Sequence, residues 1–397
     1  MSNSIFYVVR LTGLIAVLVC WGATSSFAQE NTVTESEHGL ALIYGSEGVA
    51  QDVSGGVAVL SDAAAEGDIA AQRVLGQQLV GGWVMPRDVA RGRTLLEAAA
   101  ASGDTEASLI LGTFLVYGIG LPRAIEAARV LFDALAEQDD GRGLQVYGES
   151  LMWSLRDPEQ AEAYLTRAGD MGQGDAWAVL AQGAMYGYLG GGTKSRSKFE
   201  GYAERARSAG NERIEVLDAT RQMWGITLHA SGPKTLEKLE TAADNGNAEA
   251  ARYVISLVRD GNGLNVRKDT NRAEALAEKY AHLLTADEQW RYDFSIAVAK
   301  TKKLDAFGGL QERLITASQQ MDDGIGKDLY KANPNFVIFV LQSKMKEAGL
   351  YRGQLDGLAG EKTLRSLVDA CLTMLDQPDC DRGVLSADVI GALMTAL

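Results

Sequence analysis

Histidine, proline and cysteine are all scarce in this chain. Of its 397 residues, 3 are histidine, 6 proline and 3 cysteine. His38, His229 and His282 lie far apart and the cysteines show no ligand spacing, which argues against a zinc enzyme. So little proline beside 44 glycines favours close-packed helices over a β fold punctuated by proline. Positive charge is short as well: 38 Lys and Arg stand against 52 Asp and Glu, a net charge of −14. A nucleic-acid binder needs a basic face, and this balance argues against one. With 46% hydrophobic and 23% charged residues, a disordered chain is excluded and a sizeable core expected.

Long apolar runs are missing except at the N-terminus. Residues 1–28 fit a secretory signal peptide, with Arg10 as the positive start, Leu11–Gly22 as the apolar stretch and Ser26-Phe27-Ala28 as the cleavage tripeptide. An uncleaved anchor is one alternative. A lipoprotein through Cys20 is another, with Val19 standing where a small residue is wanted. Once the signal is cleaved, no segment is long enough to span a bilayer. That leaves Cys371 and Cys380, which in an exported protein point to a disulfide rather than a metal site; two buried free thiols are the alternative.

A repeat of 36 residues organises most of the chain. Gly67-Asp68, Gly103-Asp104, Gly174-Asp175, Gly210-Asn211 and Gly246-Asn247 are its marks, and Asp139-Asp140-Gly141 stands where a further one belongs. Gly76, Gly112, Gly148 and Gly183 come nine residues after the first four marks. The pattern reads as a left-handed helix end succeeded at once by a capping oxygen, with small residues letting antiparallel helices approach. One such pair cannot bury its apolar face alone, so neighbours must stack.

Leu75-Gly76, Asp88, Ala98-Ala99, Leu111-Gly112, Tyr117, Gly118, Gly120 and Ala127 resemble the SEL-one-like repeat, a relative of the tetratricopeptide repeat. By phase there are about seven units over residues 29–281, the fourth and sixth degenerate. The resemblance implies an all-α superhelical solenoid of helix pairs whose concave face holds a protein or a polymer, and it brings no catalytic residue. Residues 282–332 read as a helical cap and linker, with Leu304–Met321 amphipathic and Asn333-Pro334 a boundary.

Residues 333–397 are similar to the small three-helix peptidoglycan-binding-like domain. The likeness rests on Leu341-Gln342, Gly349-Leu350-Tyr351-Arg352-Gly353, Asp356-Gly357, Gly360 and Thr363. Asp356, Gly357, Gly360 and Thr363 read as turn and cap residues. Tyr351, Arg352, Gln354 and Lys362 are expected to be exposed and to touch glycan or stem peptide, the cations pairing with carboxylates and the tyrosine stacking on a sugar. Ala359 departs from the family, which usually has an aromatic residue there.

No nucleophile–base pair or paired-carboxylate site stands out, so no catalytic residue, metal or cofactor is expected. Trp83, Trp153, Trp177 and Trp224 read as core packing, with a sugar-stacking face as the alternative. The expected function is a non-enzymatic periplasmic scaffold of a Gram-negative envelope, its repeats holding a partner protein and its C-terminal module tethered to peptidoglycan. The alternatives are a regulator of a periplasmic signalling or exopolysaccharide-export system, and a direct exopolysaccharide binder.

Overall fold

The structure, a computed structural model, describes residues 34–45, 48–82, 85–138, 140–317, 323–375, 380 and 383–397. The signal-peptide reading, Trp83, Asp139 of the repeat mark and Met321 at the end of the amphipathic stretch lie outside them. The fold is all-α, and its first seven helix pairs keep to the repeat. They are α1 (Glu35–Tyr44) with α2 (Val53–Ala65), α3 (Ile69–Gly81) with α4 (Val89–Ala101), and α5 (Thr105–Tyr117) with α6 (Ile125–Glu137). Then come α7 (Gly141–Ser150) with α8 (Pro158–Asp170), α9 (Gly174–Tyr186) with α10 (Arg196–Ser208), α11 (Arg213–Trp224) with α12 (Gly232–Asp244), and α13 (Ala248–Asp260) with α14 (Thr270–Lys279).

The same two junctions recur along the chain. Gly67 closes the turn after α2 at φ 97°, and the Asp68 N–H donates back to the Ala63 carbonyl at 3.0 Å. The Asp68 carboxylate then accepts from the Ala71 N–H at 2.8 Å and starts α3. A Cβ at Gly67 would strain that left-handed backbone, so glycine belongs there. Within each pair the second helix is tied to the first by another repeated bond. Asp52, Asp88, Ala124, Asp157, Ser195, Ser231 and Asp269 donate their N–H groups to the carbonyls of Leu42, Leu79, Leu115, Leu151, Ala184, Gln222 and Val258. All but Ala124 also accept a backbone N–H on their side chain, as helix caps.

One mark is displaced. The left-handed glycine before α9 is Gly172, at φ 94°, while Gly174 is already the first helical residue. The cause lies in the fourth unit. There α7 runs into a π-helical turn over Leu151–Leu155 and stops at Arg156, a non-glycine at φ 58°, one residue before the Asp157 cap. That turn replaces the glycine-rich loop of the other units and shortens this one.

The described residues fall into two compact units, one of residues up to 111 with 119–122, the other of residues 112–118 and 123–397. In the first, Gly76 and Gly92 set the approach of α3 and α4. A Cβ on either would sit 2.9 or 2.8 Å from the other's carbonyl oxygen. Ile43, Leu60, Leu75 and Leu79 form the core around such crossings. In the second unit α7, α9, α11 and α13 pack side by side as an inner layer, each carrying its partner helix on the outside.

The C-terminal part comprises α15 (Ala286–Lys300), α16 (Phe307–Thr316), α17 (Asp323–Ala332), α18 (Pro334–Glu347), α19 (Glu361–Met374) and α20 (Ala387–Ala396). The inner layer continues through α15. Residue 333 does not separate two cores. Phe294, Phe307, Leu329, Phe336, Leu367 and Ile390 belong to one cluster. Asn333 is a helix cap, its Oδ1 accepting from the Phe336 N–H, while its Nδ2 donates to the carbonyls of Val298 and Thr301. The described part of the amphipathic stretch, from Leu304 to Ala317, is broken into a single 3₁₀ turn and α16. Phe307, Leu310 and Leu314 are buried, whereas Leu304 and Ile315 face solvent.

Candidate binding faces

Two regions answer to the functional expectations, and they are built differently. The first is the motif region between α18 and α19. Gln342 of α18 is wholly buried at its centre. Its Oε1 accepts from the Asp356 and Gly357 N–H groups at 3.0 and 2.9 Å. Its Nε2 donates to Asp356 Oδ1 at 2.8 Å and Thr363 Oγ1 at 2.9 Å. These bonds hold the Asp356 carboxyl below its ordinary pKa, Gln342 first and the Leu358 N–H second. Gly357, at φ 69°, lies against the Asn335 carbonyl, and Gly360 is the N-cap of α19. The motif is thus a closed knot of hydrogen bonds that sets one loop on two helices.

Tyr351 belongs to that knot and not to the surface. It is 5% exposed, and its hydroxyl donates to the Gln354 carbonyl at 2.8 Å with Thr363 Oγ1 at 3.4 Å. The expectation that it stacks on a sugar is corrected: the phenol is satisfied inside, as a buried tyrosine requires. Arg352, Gln354 and Lys362 are exposed on the rim, with Leu358 beside them at 55% exposure. Cys371 and Cys380 form a disulfide that joins α19 to the segment before α20.

The second region is the inner layer of the repeats. Arg213 at the start of α11 donates to Gln182 of α9 at 2.8 Å. Asn211 donates from Nδ2 to Asp175 of α9 at 2.5 Å. Glu149 of α7 accepts from Gln145 at 3.0 Å. Burial pushes the Glu149 carboxyl above its ordinary range against the pull of Arg213, with Asp175 adding repulsion. Glu249 of α13 is exposed on the same face, and partial desolvation still raises its carboxyl against Arg213 and Arg252. Charges on α7, α9, α11 and α13 therefore act on one another across a single face. Tyr186 of α9 and Tyr253 of α13 do the same, although α11 lies between their helices. Tyr292 of α15 extends the row, donating to the Arg252 carbonyl at 3.1 Å.

Tryptophans are divided. Trp177 is buried at 4% under the Arg205 guanidinium, 4.6 Å from its ring. Trp153 meets Tyr188 edge-on, and Trp224 is 43% exposed rather than in the core. Sequence reasoning missed Arg259, fully buried at the end of α13. It donates to Asp260, to Ser295 and, through both terminal nitrogens, to Asp328 of α17. The only sign of it in the sequence is an Arg-Asp pair closing an apolar helix. Among the described residues no cluster of His, Cys, Asp and Glu is suited to a metal, and no helix is long and apolar enough to cross a membrane.

The architecture defines a stacked helix-pair repeat. Residues 69–104, 105–140, 143–173 and 260–283 match the Sel1 repeat family, so the chain carries Sel1-like repeats on about a third of its length. Among solved structures it is similar to a Sel1 repeat protein from Oxalobacter formigenes, with 20% identity and a TM-score of 0.42 over 63% of this chain and 100% of that one. It is also similar to c5321, a protective antigen of uropathogenic Escherichia coli with an SLR fold, with 19% identity and a TM-score of 0.39 over 91% of this chain and 78% of that one. No curated protein matches it.

Proposed function

We propose that this protein is a non-enzymatic periplasmic scaffold whose repeats hold a partner protein on the inner layer while the C-terminal module rests on peptidoglycan. The observation that carries the scaffold reading is the inner layer itself. On that side Glu149, Glu249 and Arg213 stand with Tyr186, Tyr253 and Tyr292, each left at least partly exposed. Sel1-like repeats accord with a protein-interaction role. The Cys371–Cys380 disulfide suits an oxidising compartment.

The wall contact rests on the exposed rim, where Arg352 and Lys362 present cations suited to stem-peptide carboxylates. Removing the module is a poor test of this, because α15 to α20 share a core. The full chain and its Arg352→Glu/Lys362→Glu variant should instead be co-sedimented with intact sacculi. The wild-type chain is expected in the pellet and the variant in the supernatant. Equal behaviour of the two would refute the tether.

A further inference from the structure

Three helix junctions meet at one end of the C-terminal helices. Lys268, just before α14, donates to the Ala332 carbonyl at the end of α17 at 2.9 Å. Asn333, between α17 and α18, donates to the Thr301 carbonyl just after α15 at 2.8 Å. The junctions α13–α14, α15–α16 and α17–α18 therefore form one edge. Arg267, Lys268, Lys302, Lys303 and Lys331 stand exposed on it. Of the carboxylates beside them, Asp269 is the cap of α14 and Glu274 is taken by Lys300 at 2.6 Å, which leaves Asp305. Positive charge is in excess here, in a chain whose net charge is −14. An anionic surface repels the rest of such a molecule and turns this edge toward itself.

Two leucines stand among these cations. Leu264 is 62% exposed and Leu304 44%. The loop that carries Leu264 is tied down. Asn262 Oδ1 accepts from the Leu264, Asn265 and Val266 N–H groups at 3.0, 3.0 and 2.9 Å, and Asn265 Nδ2 donates to the Met223 carbonyl of α11 at 2.8 Å. Val266 is buried, so the same loop packs one apolar residue and holds the other out. Leu304 opens the 3₁₀ turn that leads into α16, and Phe307 three residues on is buried. Cations attract the headgroups of an anionic bilayer, and a leucine set among them gains by entering the boundary between headgroups and acyl chains. A soluble acidic polymer would use the cations and leave the leucines in water. The two residue types together favour a bilayer over a polyanion.

We infer that this edge docks on the surface of a membrane carrying anionic phospholipid, with Leu264 and Leu304 entering the interface and the five cations on the phosphates. The contact is peripheral, since no helix among the described residues is long and apolar enough to cross a membrane. It goes beyond the scaffold reading and stands or falls separately from it. The test uses the chain from Gln29 onward. This keeps every described residue and removes residues 11–22, whose own entry into lipid would obscure the result. Flotation is measured with vesicles of phosphatidylcholine alone and with one quarter phosphatidylglycerol, at 50 and 300 mM NaCl. The chain is expected to float with the anionic vesicles at low salt, less at high salt, and not with the neutral ones. Lys302→Gln/Lys303→Gln and Leu264→Ser/Leu304→Ser are each expected to weaken binding at least fivefold. Lys279→Gln/Lys346→Gln removes the same charge from exposed sites at the far ends of α14 and α18 and is expected to float like wild type. Thermal melts confirm that each variant is folded. Failure of the wild-type chain to float with the anionic vesicles would overturn the inference. Equal loss in the Lys279/Lys346 variant would overturn it by showing attraction through net charge alone. Wild-type binding by the leucine variant would overturn it by showing a site for polyanions of any kind.

Discussion

Gln342 and Glu249 are both polar side chains carried on packed helices, and the molecule treats them in opposite ways. Gln342 is wholly buried, and both ends of its amide are bonded to the backbone and side chains of one loop. Glu249 is exposed on the inner layer, and its carboxylate has no hydrogen-bond partner among the described residues. A closed network holds a conformation, and every donor it uses is lost to a ligand. An open one leaves interaction energy available to whatever enters. One region is therefore architecture, and the other is the face we propose for the partner. The motif that most resembles a glycan-binding module is, at its centre, architecture.

The largest loss is expected at Gln342. Gln342→Leu keeps the volume but orphans the Asp356 and Gly357 N–H groups, and about 3–4 kcal/mol of stability should be lost in urea unfolding. Removing the disulfide by Cys371→Ala/Cys380→Ala reopens a short loop in the same region and should cost about 2–3 kcal/mol, read in the same way. Asp328→Ala tests the joint between the last repeat and the C-terminal helices. It leaves Arg259 buried with one carboxylate fewer, and a loss of about 2 kcal/mol is expected, below the usual range for a buried pair because Asp328 is one-third exposed.

The smallest effect has the opposite sign. Glu149→Gln/Glu249→Gln removes two carboxylates whose ionised form the fold disfavours and should raise Tm by roughly 1–3 °C. Varying pH separates the two regions again. Burial raises both glutamates, so the folded state binds protons more readily than the unfolded one, and these groups add stability as pH falls from 7 toward their range. Asp356 is depressed by its hydrogen bonds, so its contribution is present at neutral pH and lost as pH falls through the range below its ordinary value. Unfolding measured from pH 7 to 3 should show the first trend vanish in the glutamate variant and the second vanish in Gln342→Leu.

Much of the fold could be read from residues alone, because caps and turns are local chemistry. Asp68, Asp104 and Asn247 start helices where the repeat put them, and Gly76 stands where α3 crosses α4. The mark at Gly174 slipped by two residues because a π-helical turn is set by packing and carries no residue signal. Tyr351 was expected outside because its motif places it in a loop, yet the loop folds back over Gln342. Asn333-Pro334 reads as a boundary by composition, whereas the same pair is equally a cap with proline in the first turn. Glu149 and Glu249 were illegible for another reason. A glutamate on an amphipathic helix looks like a solvated face until the neighbouring inner helices are known.

If the working face is the inner layer of the repeats, that layer and not the motif region grips the partner protein. A photoreactive phenylalanine analogue placed at Tyr253 or at Arg352 of the full chain, activated in living cells, tests this directly. A discrete protein adduct is expected from position 253 and none from position 352. A protein adduct from position 352 with none from position 253 would contradict it.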